Sequence, residues 1–209
     1  RGQDCGPLVK TKVLLQFLRD VVAQPCVVAG ASLGGAMAID AAVTSPETVR
    51  GLVLIDAQGF QDGLGLLPKL PEPITKLALE VLRSDFLRQS ANEMSYFDKE
   101  TFATRDALQI GRLHCSKEDW VSSNLSFIRG GGFRVSQSIP KVSQPTLVIW
   151  GENDAILPQD FRDKFATMIQ KAELSVIPEC GHVPHLEKPA EVADLIYEYH
   201  RQNNWIGAS

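Results

Sequence analysis

The chain alternates between short apolar runs and longer stretches in which apolar residues recur with helical spacing. Four runs have the length of β-strands, at residues 26–29, 51–56, 145–150 and 173–177. The run at 51–56 is almost continuously aliphatic, as in a parallel strand that is covered on both faces. Helical spacing is found at residues 10–23, 33–45, 158–170 and 189–201. Strand and helix therefore alternate, which predicts an α/β fold with a mostly parallel sheet and flanking helices.

Residues 58–142 break this alternation, because they contain helical patterns and no convincing strand. The segment opens with a glycine- and proline-rich stretch and then predicts helices at residues 74–87, 99–113 and 116–128. We therefore predict a core made of residues 1–57 and 143–209 and a helical cap made of residues 58–142. Five aromatic residues of the cap either line an apolar pocket or form the cap's own core: Phe86, Phe97, Phe102, Trp120 and Phe127.

Composition and charge argue against several classes of function. The 209 residues are 44% hydrophobic and 22% charged, which is typical of a globular protein with a substantial core. A net charge of −4, with no cluster of lysine and arginine, argues against a nucleic-acid-binding surface. No apolar run approaches the length of about 18 residues that a membrane span requires.

The cysteine pattern also argues against a metal or redox motif. Cys5, Cys26, Cys115 and Cys180 lie far apart and form no C-x-x-C pair. Scattered thiols fit a reducing compartment, although the sequence alone leaves a disulfide open. We expect neither a metal nor an organic cofactor.

A glycine-flanked serine follows the first predicted strand. Gly30, Ser32 and Gly34 are spaced two apart, and a small-residue segment with helical character follows at once. Strand, sharp turn and helix place Ser32 at the turn, where flanking glycines let strand and helix approach each other closely. The N–H groups of the helix N-terminus then point towards any negative charge that forms beside the hydroxyl. The spacing alone is a moderate signal for a nucleophile.

Two further residues with catalytic side chains follow predicted strands. Asp154 comes after residues 145–150, and His182 comes after residues 173–177. The carboxyl ends of parallel strands meet at one edge of a sheet, where ligands bind. A serine hydroxyl needs a base to become a nucleophile, and a carboxylate behind an imidazole fixes the tautomer of that base. We therefore predict Ser32 as nucleophile, His182 as base and Asp154 as acid.

Three motifs of the chain resemble those of the α/β-hydrolase fold superfamily. Residues 30–35 resemble its nucleophile elbow, residues 150–158 its acid loop and residues 181–189 its histidine loop. The resemblance implies a capped serine hydrolase similar to esterases, lipases or carbon–carbon bond hydrolases, plant-type members included. Haloalkane dehalogenases and epoxide hydrolases share the capped fold but use an aspartate nucleophile, so Ser32 argues against those chemistries. We expect a soluble intracellular protein of the cytoplasm or of an organelle such as the chloroplast.

Other residues compete for the predicted roles. Some members of the superfamily place the acid after the strand that corresponds to residues 51–56, so Asp56 is a rival of Asp154. His185 competes with His182, but we expect a structural hydrogen-bonding role for it. Cys180 adjoins no basic group other than His182, and we expect a packed, inert thiol.

The chain departs from the superfamily before the serine. Members have several strands ahead of the elbow, and one segment there supplies the second donor to the oxyanion. Here the residues before Ser32 predict one helix and one strand. We expect the backbone N–H of Leu33 to be the first donor, and a missing N-terminal segment or a completing partner chain to supply the second. Loss of one donor lowers kcat by about 10²–10³, so the chain alone should be a poor catalyst.

The expected function is cleavage of an ester-like bond in a hydrophobic small molecule through an acyl-enzyme. One alternative is a non-catalytic member of the superfamily that serves as a ligand-binding receptor or as a subunit of a complex. The other is a carbon–carbon bond hydrolase with the same three catalytic residues.

Overall fold

A computed structural model of the chain describes residues 4–203 and 205. The ends of the predicted core, at residues 1–3, 204 and 206–209, lie outside the described residues. One sheet is formed by β1 (Cys26–Ala31), β2 (Val49–Ile55), β3 (Thr146–Gly151) and β4 (Ala172–Ile177). The strands lie in the order β1-β2-β3-β4, and each neighbouring pair is parallel. The predicted α/β fold with a parallel sheet is confirmed.

The helices surround this sheet. They are α1 (Pro7–Phe17), α2 (Leu33–Thr44), α3 (Glu72–Leu82), α4 (Asp85–Ser95), α5 (Lys99–Phe102), α6 (Arg105–Gly111), α7 (Trp120–Arg129), α8 (Asp160–Met168), α9 (Pro184–Glu187) and α10 (Pro189–Asn203). Helix α1 continues into a wider π-helical turn, Leu18–Val22, which ends at Ala23 in a left-handed conformation. Short 3-10 turns lie at Leu67–Lys69, Leu113–Ser116 and Ile139–Lys141.

Two of the predicted cap helices are each divided in two. The hydroxyl of Ser84 accepts a hydrogen bond from the Leu87 N–H at 3.5 Å, which starts α4 inside the predicted helix 74–87. The hydroxyl of Thr104 accepts from the Ala107 N–H at 3.1 Å and starts α6 inside the predicted helix 99–113. Serine and threonine are preferred at helix starts because they satisfy a free N–H there. The apolar periodicity continues across both N-cap residues. The helix breaks at these positions therefore cannot be predicted from the periodicity.

Alternate side chains of the central strands enter two different cores. Leu52 and Leu54 pack with α2 and α8 on one face of the sheet. Val53 and Ile55 pack on the opposite face with residues of β3 and with Tyr199 of α10. Both faces are therefore covered, which explains why the strand sequences are continuously aliphatic.

The aromatic residues predicted for the cap do not behave as one group. Trp120 is buried in a small cap cluster with Leu79 and Ile128, as expected of a cap core. Phe86 and Phe97, by contrast, are 77% and 46% exposed. Neither alternative therefore covers the whole set, and the division of the chain into core and cap stays a prediction.

The described residues settle two smaller points. They contain no helix that is both long enough and apolar enough to cross a membrane. The four cysteines are free, with Cys115 and Cys180 buried.

Candidate active site

Ser32 lies in the turn between β1 and α2 in a strained backbone conformation, with φ 50° and ψ −122°. Its N–H donates to the Ile55 carbonyl at 3.0 Å, and its carbonyl accepts from the N–H of Gln58 at 2.9 Å. These bonds hold a conformation that costs about 1–3 kcal/mol. A serine at the start of a helix commonly caps it with its hydroxyl, but the Ser32 hydroxyl forms no such bond. The hydroxyl is therefore left for a role other than capping.

The glycines around Ser32 have different roles. A Cβ atom on Gly30 would lie 2.4 Å from the Gly34 carbonyl oxygen, and one on Gly35 would lie 2.4 Å from the Cβ of Ala57. A Cβ atom on Gly34 would meet nothing within 4 Å. Close approach of strand and helix therefore requires Gly30 and Gly35, and the steric role predicted for Gly34 is wrong.

His182 and Asp154 form a buried hydrogen-bonded pair, with 2.8 Å between His182 Nδ1 and Asp154 Oδ2. The other carboxylate oxygen, Oδ1, accepts from the N–H groups of Ile156 at 2.7 Å and Leu157 at 3.1 Å. Burial raises the pKa of Asp154, but the hydrogen bonds from His182 and the backbone outweigh burial, so the pKa lies below its ordinary value. An ionised Asp154 accepts a hydrogen bond from Nδ1–H of a neutral imidazole, and this tautomer leaves a free lone pair on Nε2.

All three predicted residues lie at one edge of the sheet, since they follow the parallel strands β1, β3 and β4. The hydrogen bonds of the described residues join His182 to Asp154 but do not join Ser32 to His182. In free enzymes the bond between nucleophile and base is often long and tightens when substrate binds. Leu33 is the first residue of α2, and the first N–H groups of a helix have no partner within it. Its N–H is thus available to a ligand.

Asp56, the rival acid, lies beside Asp154 and does not take its place. Polar atoms of Asp56, Asp154 and His182 all lie within 4.8 Å of one another. Asp154 is the carboxylate bonded to the imidazole, whereas Asp56 accepts from the N–H of Gly151 at 3.0 Å. Burial, and then the neighbouring charge of Asp154, raise the pKa of Asp56 to about 10.

The other two competing residues lie close to His182. His185 is half-buried in α9, and its Nδ1 is buried without a hydrogen-bond partner among the described residues, so the expected hydrogen-bonding role is not supported. Burial, followed by the charge of His182, lowers the pKa of His185. Cys180 is completely buried, and burial followed by the charges of Glu187 and Asp56 raises the pKa of its thiol to about 12. Cys180 therefore stays protonated at neutral pH, as the sequence predicts.

Glu187 is a site residue to which the sequence assigned no role. Its buried carboxylate accepts three backbone hydrogen bonds, from Gly181 at 2.7 Å, Phe97 at 3.2 Å and Asp98 at 2.7 Å. These bonds tie the histidine loop to the segment between α4 and α5. The position of Glu187 in the histidine motif was the available signal, but nothing in the sequence pointed to the partner segment in the cap.

The backbone around the histidine loop is packed without room for side chains. A Cβ atom on Gly151 would lie 1.9 Å from the Gly181 carbonyl oxygen, and one on Gly181 would lie 2.6 Å from the Ser95 carbonyl oxygen. The His182 N–H donates to that same Ser95 carbonyl at 2.9 Å. The end of β3, the histidine loop and the cap segment are thus in direct backbone contact.

A parallel α/β sheet with a strained serine and an aspartate–histidine pair at its carboxyl edge is the arrangement of the α/β-hydrolase fold. A model described as the alpha/beta hydrolase family matches residues 4–195, and the chain belongs to that family. Among solved structures, the serine hydrolase involved in carbazole degradation, the CarC enzyme, has a TM-score of 0.75 at 21% identity. That match covers 97% of this chain and 74% of the other.

Three curated relatives are similar over most of the chain. The alpha/beta hydrolase domain-containing protein VTE7 of Arabidopsis thaliana is 32% identical over 195 residues, which are 93% of this chain and 59% of that protein. The 2-hydroxy-6-oxononadienedioate/2-hydroxy-6-oxononatrienedioate hydrolase of Klebsiella pneumoniae is 26% identical, over 81% and 60% of the two chains. A pimeloyl-[acyl-carrier protein] methyl ester esterase of Nitrosospira multiformis is 26% identical, over 88% and 72%. The chain spans about three-fifths of the length of the first two.

The glycine geometry predicts opposite effects for two alanine substitutions. Gly30→Ala forces a Cβ atom against the backbone and should lower the free energy of unfolding by about 1–3 kcal/mol or more. Gly34→Ala, its matched control, lies in a helix with open space around it and should leave stability unchanged or raise it by up to about 1 kcal/mol. Urea unfolding of both variants measures this, and equal losses would contradict the assignment.

The hydrogen bonds of Glu187 predict that replacing it with a neutral isostere lowers the free energy of unfolding. Glu187→Gln replaces an acceptor oxygen with an N–H₂ donor that faces backbone N–H groups, which should cost about 1–3 kcal/mol. The exposed Glu198 of α10 offers a control, since Glu198→Gln should change stability by less than about 0.5 kcal/mol. Thermal unfolding of the two variants is the measurement, and indistinguishable midpoints would show that the three hydrogen bonds carry no stability.

Proposed function

We propose that this protein is a serine hydrolase that cleaves an ester-like bond of a hydrophobic small molecule. The hydrogen bond of 2.8 Å between His182 and Asp154 supports the proposal most directly, because it leaves Nε2 free to act as a base. The strained turn at Ser32, with a hydroxyl that does not cap its helix, is the second support. The esterase from Nitrosospira multiformis, as a relative, agrees with the proposed reaction type.

In the proposed mechanism, His182 Nε2 takes the hydroxyl proton of Ser32 as Oγ attacks the carbonyl carbon. The backbone N–H of Leu33 donates to the oxyanion that forms, and Asp154 stabilises the imidazolium. The leaving alcohol takes the proton from His182, and an acyl-Ser32 ester remains. His182 then deprotonates a water that attacks this ester, and proton return to Ser32 releases the acid.

The substrate class is proposed from the apolar surface near the histidine loop. Phe97 is 46% exposed although its backbone N–H is bonded to Glu187 beside that loop. An exposed aromatic side chain at this position would contact an apolar acyl or alcohol group better than a charged one.

A carbon–carbon bond hydrolase is the second candidate. The relative from Klebsiella pneumoniae is named as a hydrolase of a 2-hydroxy-6-oxo dicarboxylate, a carbonyl compound rather than an ester. Hydrolysis next to such a carbonyl would use the same three residues. Comparing turnover of an ester with turnover of a 2-hydroxy-6-oxo dicarboxylate would therefore distinguish the ester hydrolase from the carbon–carbon bond hydrolase.

We also propose that a segment outside this sequence, from the same polypeptide or from a partner chain, completes the site. Within the described residues β1 has a strand partner on one edge, and Ala29 in its middle is exposed. An apolar groove of about 650 Å³ adjoins Leu33, the proposed first donor, and is lined by Val13, Phe17 and Met37 among others. An added strand would pair with the free edge of β1 and bring a second N–H to the oxyanion.

The proposed mechanism predicts labelling at a single serine. A fluorophosphonate probe should modify the native protein but not Ser32→Ala, while the control Ser122→Ala, an exposed cap serine, should be labelled at the normal rate. Asp154→Asn should slow labelling by about 10⁴-fold, because without the carboxylate the imidazole is no longer held in the tautomer that leaves Nε2 free as a base. Intact-protein mass spectrometry reads each adduct. No Ser32-dependent adduct on the native protein would favour the non-catalytic alternative, a ligand-binding receptor or subunit.

If a further segment completes the site, the native protein should differ from this chain alone. The intact mass of the native protein should exceed that of these residues, or a partner should co-purify with it. Its ester turnover should be about 10²–10³-fold higher than that of the isolated chain. A native mass equal to that of these residues alone, together with full ester turnover, would refute the completing segment.

A further inference from the structure

Asp56 is a buried ionisable residue for which the proposed mechanism has no use. It follows the last residue of β2 directly, and its relative exposure is 0%. Its backbone has a positive φ of 38°, which is unusual for a residue with a side chain, and its N–H is bonded to the Ile149 carbonyl at 2.9 Å. The fold therefore holds the side chain in one place at the carboxyl edge of the sheet.

The surroundings of Asp56 contain little that could stabilise a negative charge. The N–H of Gly151 is 3.0 and 3.2 Å from its two oxygens. No ion pair among the described residues includes Asp56. The other titratable groups around it are Asp154 and His182, within 4.8 Å, and the buried thiol of Cys180. Asp154 and Cys180 give Asp56 no positive charge, and His182 is already paired with Asp154.

One proton shared by the two carboxyl groups resolves this arrangement. Adjacent buried carboxylates repel each other strongly, so one of them stays protonated. Asp154 is the better stabilised as a carboxylate, because it accepts hydrogen bonds from His182 and from two backbone N–H groups. A carboxyl oxygen of Asp56 lies within 4.8 Å of one of Asp154, and burial followed by the charge of Asp154 raises the pKa of Asp56 to about 10.

We propose that Asp56 is a neutral carboxylic acid whose O–H donates to Asp154 and thereby positions the Asp154–His182 pair. Both oxygens of Asp56 lie within hydrogen-bond distance of the Gly151 N–H at the end of β3, and in this scheme one of them carries the proton towards Asp154. The inference rests on the proposed function only for the catalytic role of the pair. Asp56 touches no reacting atom in this scheme and is a positioning residue.

Two variants separate the neutral acid from a carboxylate. Asp56→Asn keeps an acceptor for Gly151 and an N–H donor for Asp154, so kcat and KM for an ester substrate should stay within about threefold of wild type. Asp56→Ala removes both, and kcat should fall by about 10²-fold with KM unchanged, because small misplacements of catalytic groups have effects of that size. An equal loss of kcat in both variants would overturn the proposal.

A second measurement on the native protein needs no turnover. In the unfolded chain an aspartate loses its proton near pH 4, whereas folded Asp56 keeps it to about pH 10. Between pH 5 and 9 the folded state therefore binds one more proton, and stability falls as the pH rises. The folding equilibrium constant of wild type should fall tenfold more per pH unit than that of Asp56→Asn, in which Asp154, His182 and Cys180 are unchanged.

The two measurements distinguish the inference from the proposed function. Equal slopes of stability against pH in wild type and Asp56→Asn would overturn the protonated Asp56, whatever the activity. The steeper wild-type slope in a protein that shows no Ser32-dependent labelling would support the protonated Asp56 and refute the proposed hydrolase.

Discussion

Direct contact of backbone with backbone at the carboxyl edge of the sheet is the constraint on which the site depends. Gly30 brings β1 against the start of α2, and Gly151 brings the end of β3 against the histidine loop. A side chain at either position would push apart the segments that carry Ser32, Asp154 and His182. The distance between His182 and Asp154 is therefore set by close-packed main chain, which deforms less than loosely held side chains do.

The same edge stabilises buried charge with peptide N–H groups rather than with lysine or arginine. Asp154 accepts two such groups and Glu187 accepts three, while Asp56 accepts one. The number of donors fits the states assigned to Asp154 and Asp56, since Asp56, which has fewer N–H donors, is the group proposed to hold a proton. Fixed backbone dipoles need no reorganisation when charge moves during a reaction, so the proposed proton transfer through His182 would take place beside donors that are already in position.

Much of this arrangement follows from the sequence, and the remainder has a physical reason for escaping it. The four strands and the three residues at their ends could be predicted, because burial on both faces of a sheet leaves continuous aliphatic runs. The breaks between α3 and α4 and between α5 and α6 could not be predicted. The N-cap residues Ser84 and Thr104 interrupt the helical hydrogen bonding there without interrupting the apolar periodicity. The contact of Glu187 with residues 97 and 98 joins positions about ninety apart, and no local pattern encodes such a contact.

The bonds of the histidine loop to residues 95–98 have a mechanical consequence. If residues 58–142 were displaced as one rigid body, the His182–Ser95 bond and two of the three bonds of Glu187 would break. A displacement of the helices on either side of residues 95–98 would leave these bonds intact. The histidine loop therefore keeps its hydrogen bonds only as long as residues 95–98 stay in place.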